Sequence, residues 1–220
     1  MQGFDLIMNI SYDFITNYIN ETLPESEGLL KEMEDYAHKH YVPIIQKETM
    51  WFLRTLLSIK KPEKILEIGT AIGYSSLVFS QYLKEGGKII TVELDEDTAK
   101  IAKENFKKAG NTSIKLIIGD GEDVLSNTNE KFDVIFLDAN KSLYLRSLPD
   151  IMRILNKGGI LIADNVLYKG MVASDELETY RKRTLVKNLR DFLYEIAHND
   201  EFTTSILPIG DGISISYRKE

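Results

Sequence analysis

From residue 64 onward, short apolar runs alternate with amphipathic stretches, and this alternation most limits what the chain can fold into. Lys64–Gly69 (KILEIG), Lys88–Leu94 (KIITVEL), Ile114–Ile118, Phe132–Leu137 (FDVIFL) and Ile160–Ala163 read as strands. Helical spacing of apolar residues lies between them at Tyr74–Leu83, Asp97–Ala109 and Leu143–Leu155, the last closing on Gly158-Gly159. Strands that alternate with helices in this way form right-handed crossovers and a mostly parallel sheet with helices on both faces. The tail differs: a helix at Leu185–Ala197 precedes Thr203–Pro208, the turn Gly210-Asp211-Gly212, and Ile213–Tyr217. Two strands joined by a tight turn make a hairpin, so the last of seven strands is expected to run antiparallel. The expected class is α/β.

The first sixty residues read as helical. Tyr12–Ile19 carries apolar residues at helical spacing. A second helix is expected after Ser26 as N-cap, with Leu29, Leu30, Met33 and Tyr36 on one face. A third is expected after Pro43, running through Ile44, Ile45, Met50, Trp51, Leu53 and Leu57. The 220 residues therefore divide into a helical cap (1–60) on a core (61–220), within a single domain.

Composition excludes several function classes. No apolar run is long enough to span a bilayer. Met1–Ile10 lacks a basic segment followed by an apolar core, so no signal peptide is expected. Cysteine is absent, which removes disulfides, thiolate zinc sites and cysteine nucleophiles and fits a reducing cytoplasm. A net charge of −7 argues against nucleic-acid binding by bulk charge, though not against a local basic patch. His38, His40 and His198 lie in polar surroundings without metal-ligand spacing and read as exposed.

The turn after the first strand runs from Glu67 through Gly69, Thr70 and Gly73 to Ser75. It reads G-x-x-x-G, not the G-x-G-x-x-G that cradles a pyrophosphate, which disfavours a nicotinamide dinucleotide and a dehydrogenase. Glu93 ends the second strand, where an acid can accept both ribose hydroxyls of an adenosine. Asp120-Gly121 ends the third and Asp138 the fourth. Each acid alone would serve as a helix cap or turn residue; four successive strand ends together point to a ligand site.

Asp164-Asn165 ends the fifth strand, expected to neighbour the fourth. Two carboxylates and one amide oxygen would then converge. Hard oxygen donors without His or Cys suit Mg²⁺, Mn²⁺ or Ca²⁺ rather than zinc. Taken alone, an Asp-Asn pair merely opens a turn, and Lys141 alone is a solvated lysine at a helix start.

The segments EIGTAIGYSS, TVELDEDTAKIAKENFKKAG, FDVIFLDANKSLY, GGILIADNVLYKG and LPIGDGISIS together resemble the cation-dependent O-methyltransferases, the group of catechol and caffeoyl-coenzyme A O-methyltransferases. The likeness covers roughly residues 40–220. It implies the Rossmann-like class I S-adenosylmethionine methyltransferase fold and S-adenosyl-L-methionine as cofactor. By position it makes Asp138, Asp164 and Asn165 the metal ligands and Lys141, with Asp138, the catalytic group. Glu93 becomes the ribose acid; Glu67, Gly69, Thr70, Ser75, Asp120, Gly121 and Asp138 become cofactor contacts. Ile45 matches a contact near the methionine end, where family members often carry Met.

Within the group, Tyr36 to Ile44, Asp164 to Ala173 and the basic stretch after Tyr180 resemble the bacterial tRNA 5-hydroxyuridine methyltransferases. That likeness implies tRNA as partner, with Lys169, Arg181, Lys182 and Arg183 as RNA contacts, and a cytoplasmic homodimer. The stretch Tyr180–Arg190 holds five cations and no acid; it is either a solvated helix face or a phosphate-binding rim. Catechols and 5-hydroxyuridine both offer a vicinal oxygen pair, so the metal set does not separate a small aromatic acceptor from RNA. A non-catalytic Rossmann-like binding module is the remaining alternative, which the complete set of Asp138, Lys141, Asp164 and Asn165 opposes.

Overall fold

A computed structural model describes residues 10–220; nine of the ten residues in the Met1–Ile10 segment fall outside it. Seven strands form one sheet: β1 (Lys64–Ile68), β2 (Lys88–Glu93), β3 (Ile114–Ile118), β4 (Phe132–Leu137), β5 (Leu155–Asp164), β6 (Phe202–Leu207) and β7 (Ile213–Arg218). Their order is β3-β2-β1-β4-β5-β7-β6. All pairs are parallel except those of β7, the last strand in the chain, which runs antiparallel to both β5 and β6. It lies one strand in from the edge.

Alternation along the strands explains the two cores. In β4, Val134 and Phe136 point to one face, Ile135 and Leu137 to the other; in β5, Ile160 and Ile162 oppose Leu161 and Ala163 in the same way. The first face packs against α2 (Gly28–His40), α3 (Lys47–Lys60), α4 (Tyr74–Ser80) and α5 (Glu96–Lys108) through Met33, Leu53, Val78 and Phe106. The second packs against α6 (Gly121–Asn127), α7 (Leu143–Arg146), α8 (Leu148–Ile154) and α9 (Arg183–His198) through Leu125, Tyr144, Ile151 and Phe192. Full burial of one such side chain contributes roughly 1.5–3 kcal/mol, so helices on both faces are obligatory. The first helix, α1 (Asp13–Thr22), buries no residue fully and rests on α3. Among the described residues, no helix is long and apolar enough to cross a membrane.

Register then fixes the site. Ile68 pairs with Val92 and with Leu137, and Leu137 pairs with Ala163. Gly69, Glu93, Asp138 and Asp164 therefore follow one another along the carboxyl ends of the parallel strands. The strand order reverses between β1 and β4, and ligands of open α/β sheets bind beside such a reversal.

Several sequence expectations change. Ser26 is not the cap of α2: the helix begins at Gly28, and Ser26 Oγ donates to Glu34 Oε1 at 2.6 Å instead. The third helix starts at Lys47, not after Pro43. The residues between Pro43 and Lys47 stay irregular. The expected Leu143–Leu155 helix is two helices broken at Ser147, where Pro149 in the first turn of α8 has no N–H to continue the ladder. β5 begins at Leu155, taking Gly158-Gly159 into the strand through a register shift opposite Phe132 and Val134. The seven-residue α6 is too short to show a period. The hairpin connection spans residues 208–212, and the tight turn lies within it, with Gly212 N–H closing back on the Ile209 carbonyl at 2.9 Å.

Candidate active site

The strand ends open into a cleft of about 900 Å³. Its floor begins at Gly69, whose φ of +103° is left-handed and where a Cβ would collide with the Asp138 carbonyl oxygen. Glycine is required because the β1–α4 turn crosses directly over the end of β4. Thr70 and Ser75 of this turn line the cleft. Glu67 does not line it. Its side chain is 0% exposed beneath the turn, accepting from Ser75 Oγ at 2.5 Å, from Ser76 Oγ, and from Thr91 Oγ1 at 2.6 Å. Since Thr91 spends its proton on Glu67, Thr70 is the donor in the 2.6 Å Thr70–Thr91 contact. Burial pushes the Glu67 carboxyl up to about 7, against the pull of these three hydroxyls.

Glu93 lines the same wall. Its Oε2 accepts from Ala71 N–H at 2.8 Å and its Oε1 from Asp95 N–H at 3.0 Å. A carboxylate has about four acceptor positions, so two remain for a ligand. Asp120 caps α6, accepting from Glu122 N–H at 2.8 Å, and with Gly121 borders the cleft. Ile45, from the segment between α2 and α3, also lines the cleft.

Beyond the ends of the neighbouring strands β4 and β5, Asp138, Lys141, Asp164 and Asn165 line the same cleft. Lys141 Nζ donates to Asp138 Oδ1 at 3.0 Å. Asp164 is 3% exposed, and its Oδ1 accepts from Asn165 N–H at 2.7 Å. Burial, and then the Asp138 charge, push the Asp164 carboxyl well above the usual range. Two acids that repel each other, one of them nearly buried, beside an amide form a donor set suited to a divalent cation that prefers oxygen. Among the described residues, no three His, Cys, Asp or Glu side chains gather into a group that could hold a metal ion, so the donor set here is two carboxylates completed by an amide.

The strand ends are stitched from below. Tyr144, 0% exposed, shares its single proton between the carbonyls of Leu137 at 2.8 Å and Asp164 at 3.1 Å. This ties the end of β4 to the end of β5, where the two acids stand.

The family model described as O-methyltransferase matches residues 20–219. The chain belongs to the O-methyltransferase family. Caffeoyl-CoA O-methyltransferase of Medicago sativa is 30% identical, covering 94% of this chain and 89% of that protein. Catechol O-methyltransferase of Niastella koreensis is 30% identical over 76% of this chain and 79% of its own length. The crystal structure of an O-methyltransferase from Bacillus cereus in complex with SAH superposes with a TM-score of 0.82 at 27% identity, covering 94% of this chain and 97% of that one.

The basic stretch of this O-methyltransferase is not the uncompensated patch that its sequence suggests. Arg183 pairs with Glu178 at 3.3 Å, Arg190 with Asp175 at 2.6 Å, and Lys187 with Asp191 at 2.6 Å. The acids lie just outside the Tyr180–Arg190 window, and the fold brings them in. Arg181, Lys182 and Arg183 stand outside the cleft, although Lys182 Nζ lies 5.6 Å from the centre of the Tyr168 ring, which lines it. Lys169 lines the cleft directly.

Sequence reasoning missed Asp211, Tyr144 and Tyr168. By sequence Asp211 is only a turn residue, yet it lines the cleft, and burial raises its carboxyl above the usual range. The missing signal was strand pairing: Ile213 pairs with Asp164, which puts the Gly210–Gly212 turn beside the Asp164-Asn165 corner.

Proposed function

We propose that this protein transfers a methyl group from S-adenosylmethionine to one oxygen of a vicinal oxygen pair, with a divalent cation held by Asp138, Asp164 and Asn165. The observation that carries the reading is that Asp138, Lys141, Asp164 and Asn165 line the cleft beyond the ends of the neighbouring strands β4 and β5, whereas Glu93 and Asp120 follow β2 and β3 on the other side of β1. S-adenosylmethionine supplies a methyl group activated by its sulfonium charge. Mg²⁺ or Mn²⁺ would supply positive charge that favours the ionised form of a neighbouring hydroxyl.

The chain's own residues do the rest. Glu93 has acceptor positions to spare for ribose hydroxyls, while Asp120, Gly121 and the Gly69–Ser75 turn border the adenosine end. Ile45 gives the methionine end an apolar contact. Lys141 would take the proton of the acceptor hydroxyl in its neutral form, which positive charge of a cation on Asp138 would favour over the ammonium that the Asp138 ion pair otherwise holds. The rigid strand ends align donor and acceptor, which removes orientational entropy from the barrier.

The acceptor in this reading is 5-hydroxyuridine of tRNA, converted to 5-methoxyuridine at the wobble position; its 5-oxygen and O4 form the vicinal pair. Lys169 at the cleft and Lys182 over Tyr168 support it, because they place cations at the mouth where phosphates would pass. Small catechol-like or caffeoyl-CoA-like acceptors are the second reading. It is favoured by the ion pairs that neutralise Arg183, Lys187 and Arg190, and by what the relatives are named for. The enzyme is taken as cytoplasmic, which suits a chain without cysteine, and as a homodimer, which light scattering checks.

The deciding experiment incubates the protein with S-adenosylmethionine, Mg²⁺ and tRNA carrying 5-hydroxyuridine, in parallel with catechol and caffeoyl-CoA, and reads products by mass spectrometry. Formation of 5-methoxyuridine that stops in chelator and returns with Mg²⁺ is expected. Product from catechol or caffeoyl-CoA alone would transfer the assignment to the second reading, and full turnover in chelator would remove the cation from it.

A further inference from the structure

The loop that leaves β5 holds an unusual backbone. Asn165, Tyr168 and Lys169 all adopt positive φ, at 54°, 45° and 56°. Left-handed backbone is disfavoured for residues other than glycine; asparagine tolerates it, whereas tyrosine and lysine require their surroundings to impose it. These surroundings can be identified. Val166 N–H donates to the Gly212 carbonyl at 2.9 Å, Leu167 N–H to the Asp211 carbonyl at 3.1 Å, and Lys169 N–H to Asp211 Oδ1. Three amides of one loop are thus captured by two residues of the β6–β7 turn, and the contact at Lys169 comes from a side chain.

The turn is itself fixed. A Cβ on Gly212 would lie 2.5 Å from Leu167 Cγ, and one on Gly210 would lie 2.7 Å from Thr49 Oγ1 of α3. The turn is therefore wedged between the loop and the N-terminal helices. The strand pairing of Ile213 with Asp164 sets its height against the site.

We propose that Asp211 is a positioning residue: from the hairpin turn it holds the Asn165–Lys169 loop in its left-handed conformation, so that Asn165 faces the cleft beside Asp138 and Asp164. The inference rests on the reading of Asn165 as a cation ligand. Outer contacts that orient ligands change metal affinity by about 10–100-fold when removed. The side chain acts through a hydrogen-bond acceptor, so Asp211→Asn keeps the function and Asp211→Ala loses it.

Two measurements on the full chain test this. The first is deuterium exchange of peptides spanning residues 166–172; the second is Mn²⁺ affinity by calorimetry, with S-adenosylmethionine affinity as the control. Asp211→Ala should speed exchange in that segment alone and weaken Mn²⁺ about tenfold or more, with S-adenosylmethionine affinity unchanged. Asp211→Asn should stay close to wild type in both. Unchanged exchange in Asp211→Ala would overturn the clamp, and faster exchange with unchanged Mn²⁺ affinity would overturn the positioning role. Equal loss of Mn²⁺ affinity in the two variants would assign the effect to charge and overturn the proposal. Exchange that rises throughout the protein would make Asp211 a general fold residue and overturn it as well. Wild-type protein that binds no Mn²⁺ would overturn the cation reading itself, while the exchange data still judge the clamp separately.

Discussion

Lys141 donates to Asp138 across 3.0 Å, and the two side chains, three residues apart at the end of β4, are only 14% and 27% exposed. A surface pair of this kind would contribute little. Here the pair lines the cleft, and in the proposed reaction the acceptor must lose its proton there. Lys141→Ala should therefore lower kcat by about 10²–10⁴-fold, the usual weight of a positioned acid or base, with S-adenosylmethionine affinity nearly intact. Single-turnover rates and calorimetry separate the two; a parallel fall in cofactor affinity would make Lys141 structural.

Glu93 presents a carboxylate already oriented by two backbone N–H groups. Glu93→Ala should weaken S-adenosylmethionine binding by about 1.5–3 kcal/mol, the range for a hydrogen bond to a charged group. Titration calorimetry reads this directly, and an unchanged dissociation constant would move the ribose elsewhere.

In the tRNA reading, the cations of the basic stretch differ in what they can give to a phosphate. Arg183 is engaged by Glu178. Among the described residues, Arg181 and Lys182 make no ion pair. Replacing Arg181 and Lys182 with alanine should weaken tRNA binding and flatten its salt dependence by roughly one unit of slope for each phosphate left without its cation. Arg183→Ala should change it less. Filter binding over a salt series tests the order; equal slopes in wild type and the double variant would place the RNA on another surface.

Glu67 carries a pH signature. Its carboxyl is raised from 4.5 to about 7, first by burial, so between these values the folded state holds a proton that the unfolded state has lost. That contribution to stability is fully present below pH 4.5 and is lost as pH rises through about 7. The loss amounts to about 3 kcal/mol at roughly 1.4 kcal/mol per unit. Glu67→Gln does not titrate, so urea unfolding from pH 5 to 8 should show wild-type stability falling relative to this variant. A gap independent of pH would mean that Ser75, Ser76 and Thr91 keep Glu67 ionised.

What the sequence determined by itself was whatever repeats locally. Apolar runs such as Phe132–Leu137 have no stable place except between two layers of helices, so the parallel sheet followed from pattern alone, and Glu93, Asp138 and Asp164 were legible because each ends such a run. The antiparallel last strand was legible for a related reason, the glycine-rich turn before it. Tertiary structure decided what depends on distance along the chain. Pairing of β7 with β5, about fifty residues apart, brings Asp211 to the loop carrying Asn165. Folding places Glu178 and Asp175 against Arg183 and Arg190, which turned an apparent basic patch into a largely paired one. Glu67 lies under the β1–α4 turn, and not in the cleft lining, because three hydroxyls from β2 and α4 surround it there. Local pattern reports which residues must be covered; which partner covers or neutralises each is set by contacts between segments that the chain brings together only when it folds.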